Sequence, residues 1–202
     1  MTYAEMGEKG AEEIKMFTIY FVRNGTYVGV WPHIAVSLTL FQTLQFFEIV
    51  NSALGLVKSP LFTTAMQIVA RNMVVWLVLN QVHESHTSIG LPMLFVTWSL
   101  AEISRFAYYA LNLIGLNIYL VTWARYTFFI FNYPIGSLGE IFIIYASLPY
   151  IRKRKFLTIE LPNPLNASFY FDYFLICSIF SSIYVVPTLY LHMLRQRKKA
   201  LK

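Results

Sequence analysis

The stretch at residues 118–150, IYLVTWARYTFFIFNYPIGSLGEIFIIYASLPY, is an almost unbroken apolar run that carries one carboxylic acid, Glu140. It exceeds the roughly 20 residues a helix needs to cross hydrocarbon, and acids are rare in lipid and usually functional there. Composition puts the rest of the chain in the same solvent. Of 202 residues, 57% are hydrophobic, 17% aromatic and only 13% charged, too little polar surface for a soluble domain of this length. Further apolar stretches fall at roughly 16–36, 38–57, 61–82, 91–115 and 169–193, each of about spanning length. Backbone groups in hydrocarbon must bond within their own segment unless a barrel closes, and these runs lack the two-residue alternation of barrel strands. The expected fold is all-α: a polytopic membrane helical bundle of about six transmembrane helices.

Residues 1–15, with Glu5, Glu8, Glu12 and Glu13, read as a polar leader without the basic start and small-residue cleavage site of a secretory signal. Residues 16–194 form the transmembrane domain and 195–202 a basic tail. Turn chemistry marks the connectors at Lys58-Ser59-Pro60, His83 to Gly90, Gly115 to Asn117 and Leu161 to Asn166. The net charge of +6 gathers at Arg152 to Lys155 and at Arg195, Arg197, Lys198, Lys199 and Lys202. Clusters that flank apolar spans meet lipid headgroups rather than nucleic acid. Because one span separates these two clusters, they face opposite sides, and the positive-inside rule cannot satisfy both. If the tail and Lys58 are cytoplasmic, the His83 to Gly90 loop and the sequon Asn166-Ala167-Ser168 fall on the far side. The single Cys177 cannot close an internal disulfide and reads as a packing residue. His33, His83, His86 and His192 lack a ligand arrangement, so no metal is expected, and His83-Glu84-Ser85-His86 reads as a solvated connector.

Beyond Glu140, the spans contain Glu48, Gln67, Arg71, Glu102, Arg105, Arg125 and Asp172. Each ion at mid-membrane costs about 2.5 to 3.5 kcal/mol even on lenient insertion scales. Gln67 and Arg71 lie about one turn apart, as do Glu102 and Arg105, so each pair shares a helix face. Two readings follow: acid–base pairing between helices, or a functional interior. Tyr133 precedes Glu140 by seven residues, nearly two turns, which places both on one face about 10.5 Å apart along the axis. Glu140 leans toward Tyr133 because helical side chains tilt to the N terminus. Pro134 and Gly136 offer a kink that could shorten the gap.

Residues 125–140, RYTFFIFNYPIGSLGE, resemble the signature of the very-long-chain (3R)-3-hydroxyacyl-CoA dehydratases, also called protein tyrosine phosphatase-like proteins. Residues 44–60 (LQFFEIVNSALGLVKSP), 67–72 (QIVARN), 98–111 (WSLAEISRFAYYAL) and Leu161-Pro162-Asn163 agree with it, in consistent order from about Phe41 to the C terminus. The resemblance implies a six-span enzyme of the endoplasmic reticulum membrane that converts 3-hydroxyacyl-CoA to trans-2-enoyl-CoA, the third step of fatty-acid elongation. It implies no cofactor, Tyr133 and Glu140 as the catalytic pair, and Glu48, Gln67, Arg71, Arg105 and Arg125 as supporting or substrate-binding residues. Membrane lipid and other elongation enzymes are the implied partners. Two features depart from the family pattern: Met16 to Leu40 is short for its first span and connector, and Asn132 replaces an apolar residue.

Dehydration needs a base for the C2 proton and an acid for the departing C3 hydroxyl, and a carboxylate with a phenol supplies both. Glu140 as base with Tyr133 as acid is favoured, while a Glu neutralised by burial would reverse the roles. Arginine forks suit the phosphates of coenzyme A. A phosphatase would need a Cys thiolate and a downstream Arg, yet Cys177 is followed by Ser178-Ile179-Phe180-Ser181-Ser182, which excludes that chemistry. The remaining rivals are a scaffold for elongation enzymes and a small transporter lined by the intramembrane charges. A transporter would show paired interrupted helices, whereas only the Pro134–Gly136 region is obviously broken.

Overall fold

The structure is a computed structural model that describes residues 3–55, 61–162 and 166–200. Among these, the helices are α1 (Tyr3–Asn24), α2 (Trp31–Leu44), α3 (Phe46–Ala53), α4 (Leu61–Met73), α5 (Gly90–Leu113), α6 (Tyr119–Thr127), α7 (Phe129–Arg154) and α8 (Phe171–Ala200). α3 continues α2 across Gln45, α7 continues α6 across Phe128, and α4 runs on as π-helix over Val74–Leu79. Among the described residues the result is six helical rods, the number expected from the apolar runs, although the first two divide at 25–30 rather than between the expected runs 16–36 and 38–57. A single bridge, Ile159 with Phe169, is the only β pairing among the described residues. The connector at Lys58 to Pro60, the turn residues Asn163 to Leu165 and Lys202 lie outside the described residues.

Among the described residues, three rods are long and apolar enough to cross a membrane: Trp31–Ala53, Tyr119–Arg154 and Phe171–Lys198, with mean hydropathy 1.3, 1.4 and 1.9. Glu13 of α1, Arg71 of α4 and Glu102 and Arg105 of α5 are turned inward, whereas the other described charges of α1 are exposed. Large apolar side chains such as Val36, Phe62, Phe180 and Tyr184 are instead exposed, the arrangement that suits lipid, where an outward hydrophobe costs nothing.

The boundary expected between a polar leader and the first span is not a break. α1 runs straight through residues 15 and 16, and Glu13 is only 3% exposed. Gly7 faces Phe106, Gly10 faces Ile103, and Phe17 stacks on Phe95 at 5.2 Å, so α1 lies antiparallel along α5. Composition marks residues 1–15 as a polar leader, but helical periodicity turns Glu13 onto the packed face. Likewise α8 extends through the first residues of the basic tail.

α5 and α7 meet along a seam of small residues. A Cβ on Gly139 would come within 3.1 Å of Gly90 O and of Leu94 N, one on Gly136 within 3.1 Å of Thr97 Oγ1, and one on Gly90 would collide with Gly139 O. Bare backbone at these positions allows the close helix approach common in membranes. α8 returns antiparallel to α7: Arg152 pairs with Asp172 at 3.0 Å at one end, while Phe129 meets Tyr190 at 5.8 Å at the other. The two basic clusters therefore sit at opposite ends of the bundle, as the sequence predicts.

Two expectations need correction. Cys177 is exposed on α8 rather than packed inside, because an apolar stretch in lipid has no need to turn its small hydrophobes inward. His86 is not solvated: its ring stacks on Trp31 at 4.7 Å and its Nε2 lies 2.6 Å from Leu79 O.

Candidate functional site

The polar residues of the spans converge in the interior between α2, α3, α4 and α5. Glu102, 6% exposed on α5, is the hub. Its Oε1 accepts from Gln42 Nε2 at 2.8 Å, from Gln45 Nε2, and from Arg71 Nη2 at 3.0 Å. Arg71 Nη1 also donates to Gln45 Oε1 at 3.4 Å, and the guanidinium lies 4.4 Å over the Trp98 ring. Asn72 Nδ2 ties α4 to α2 through the carbonyl of Gln42 at 2.8 Å. A second ion pair, Arg105 Nη1 with Glu48 Oε2 at 2.9 Å, joins α5 to α3. Buried ions persist in hydrocarbon when they are paired and hydrogen-bonded, and both conditions hold here.

Tyr133 and Glu140 project from α7 beside its glycine seam. At about 100° per residue, they lie about 20° apart around the helix, and Glu140 about 40° from Gly136. Gly136, Gly139 and Ile143 bury the seam against α5, which leaves Tyr133 and Glu140 both half-buried on one flank of it. α7 remains helical through Pro134, and no hydrogen bond joins Tyr133 to Glu140 among the described residues. The Tyr133 ring is instead tilted against Tyr190 of α8 at 6.4 Å. Glu140 is within electrostatic reach of both Tyr133 and Arg71. Arg71 in turn feels Glu102, Arg105, Glu140 and Glu48. The carboxyl of α7 thus joins the charged interior through Arg71.

The supporting residues suggested by the sequence divide into three groups. Arg71, Arg105 and Glu48 join the interior network. Arg125 lies elsewhere, donating to Tyr109 Oη at 3.3 Å and stacked on Tyr108 and Tyr109 at 4.6 and 4.7 Å. Gln67 is exposed on α4, although it stands one turn from Arg71. Sequence reasoning missed Gln42, Gln45 and Glu13. Both glutamines interrupt an otherwise apolar span, and that interruption was the available signal.

Glu13 lines a cavity of about 160 Å³ between α1 and α2, together with Glu12, Met16, Val36, Ser37, Leu40 and Phe41. Its Oε1 has no partner, and Glu102 is its nearest charged influence. Among the described residues there is no cluster of three or more His, Cys, Asp or Glu side chains able to hold a metal ion. The interior thus holds a carboxyl and a phenol on one flank of α7, with a guanidinium in electrostatic reach of the carboxyl.

The family model described as protein tyrosine phosphatase-like protein matches residues 42–202. Curated relatives include very-long-chain (3R)-3-hydroxyacyl-CoA dehydratase 1 of Canis lupus familiaris, 37% identical over 182 residues, covering 90% of this chain and 73% of the relative. A very-long-chain (3R)-3-hydroxyacyl-CoA dehydratase of Caenorhabditis elegans is 38% identical over 194 residues, 95% of this chain and 89% of the relative. Very-long-chain (3R)-3-hydroxyacyl-CoA dehydratase 2 of Homo sapiens is 37% identical over 181 residues, 90% of this chain and 71% of the relative. No solved structure matches the chain.

Proposed function

Because this chain belongs to the protein tyrosine phosphatase-like family, we propose that it is a hydro-lyase that converts very-long-chain (3R)-3-hydroxyacyl-CoA to trans-2-enoyl-CoA. The observation that carries the assignment of the site is the shared flank of Tyr133 and Glu140, with Arg71 in electrostatic reach of the carboxyl. The Glu140 carboxylate takes the C2 proton of the thioester. The C2–H electron pair then forms the C2–C3 double bond, and the C3 hydroxyl departs with the phenolic proton of Tyr133 as water. Tyr133 recovers its proton from Glu140, so the cycle balances without a cofactor. The roughly two-turn separation leaves room for C2 and C3 to lie between the two groups rather than beside them.

The acyl chain lies among the apolar faces of the helices, and Arg105 and Arg125 are suited to the coenzyme A phosphates by the fork geometry of guanidinium. We place the enzyme in the endoplasmic reticulum membrane alongside the other enzymes of fatty-acid elongation, as the family resemblance implies. The test is turnover by the detergent-purified full chain. Enoyl-CoA should form from 3-hydroxyacyl-CoA, and Glu140→Gln and Tyr133→Phe should each slow it by at least about a hundredfold. An inert wild-type protein would leave the scaffold or transporter reading, and full activity in both variants would move the chemistry elsewhere.

A further inference from the structure

Glu102, Gln45 and Arg71 close a ring. Gln45 donates its amide to Glu102 Oε1 and accepts from Arg71 Nη1, while Arg71 Nη2 reaches the same Glu102 oxygen. Gln42 adds a fourth member from the preceding turn of α2. The guanidinium is thereby held by two hydrogen bonds on one edge and by Trp98 beneath its plane. Its Nε remains buried and unpartnered. An orphaned charged donor in a dry interior is costly, so a ring that fixes it in place calls for a reason beyond packing. Its surroundings supply one: Glu140, the one acid of α7, stands within electrostatic reach of the guanidinium.

We propose that Glu102 is a positioning residue for the dehydration, acting through Arg71: it anchors the guanidinium so that its charge and its free Nε edge address Glu140 and the thioester carbonyl. The inference rests on Tyr133 and Glu140 being the reacting pair. Glu102 touches neither Tyr133 nor Glu140 by any hydrogen bond among the described residues, and its effect passes entirely through the cation it holds. A neutral amide pivot, Gln45, suits this task because it fixes both ions without adding a third charge to the membrane interior.

A double-mutant cycle with turnover as the readout separates positioning from plain structural support. Glu102→Gln keeps the size and an accepting oxygen but loses the charge that clamps Arg71. In the purified full chain, kcat should fall at least about tenfold, toward the roughly hundredfold that an ångström-scale misplacement can cost. KM should change by less than about threefold, because the interaction matters in the transition state. The same substitution added to Arg71→Gln should cost nothing further. Losses that multiply, or an unchanged kcat in Glu102→Gln, would overturn the proposal. If Glu102→Gln does not fold, Gln45→Met opens the ring without removing an ion, and the same criterion applies to it. Glu140→Gln is measured in parallel: retained turnover there defeats the reading of the site, whereas its loss alongside an additive cycle defeats only the role of the ring.

Discussion

The shared flank of Tyr133 and Glu140 on α7 was legible in their seven-residue spacing, while their assignment as the reacting pair comes from the family resemblance and is a proposal. Their surroundings were less legible. Ion pairs between helices depend on which faces meet, and a single sequence holds the residues but not the pairing. Arg71 and Glu102 are each visible as charges in apolar runs, and local spacing puts Arg71 on one face with Gln67 and Glu102 on one face with Arg105 without naming a partner on another helix. The structure shows the pairing between helices that was one of the two readings, and it supplies the partners: Arg71 with Glu102 and Arg105 with Glu48. Tyr133→Phe removes one hydroxyl and keeps the ring against Tyr190. Turnover should therefore drop about 10²- to 10⁴-fold, the usual worth of a positioned acid or base, while the thermal midpoint stays unchanged. Loss of the folded protein would show that the hydroxyl is structural.

Among the elements, the α5–α7 contact carries the most consequence, since it sets the rotation of α7 and with it the direction of both reacting groups. In the sequence Pro134 and Gly136 offer a kink, but the chain uses Gly136 and Gly139 for close approach and α7 stays helical. Periodicity alone does not tell a hinge from a packing seam. Gly90→Ala would drive a methyl into Gly139 O. It should destabilise the protein by about 1 to 3 kcal/mol, the range for overpacking, and lower kcat as α7 is pushed aside. A variant as stable and active as the wild type would show that the contact is loose.

The connector at His83–Thr87 offers a second test at this scale. Burial pushes the His86 imidazole below its ordinary 6.5, against the raising effect of the Leu79 carbonyl. A folded-state value below the unfolded one means the neutral ring stabilises fully above about 6.5. That stability is lost as pH falls through the folded value. The thermal midpoint should therefore decline on acidification below about 6.5 and the decline should shrink in His86→Phe, which can still stack on Trp31. An equal decline in both proteins would assign the effect to other groups.

At the scale of the whole molecule, the count of six rods was legible because hydrocarbon thickness fixes rod length. The inward role of α1 was not, because four acids in fifteen residues look like a solvated leader until Glu13 is seen packed toward α5. The antiparallel run of α7 and α8 puts the loop around Asn166 and the C-terminal tail on opposite faces. A glycosylation reporter inserted beside Asn166 and an epitope after the tail should report opposite sides of the membrane, and the same side would break the six-rod topology. The site itself is tested most directly by exchange of the substrate C2 hydrogen with solvent deuterium, measured without elimination. With Glu140 as the base, exchange should persist in Tyr133→Phe and vanish in Glu140→Gln. Exchange that survives in Glu140→Gln would contradict the account.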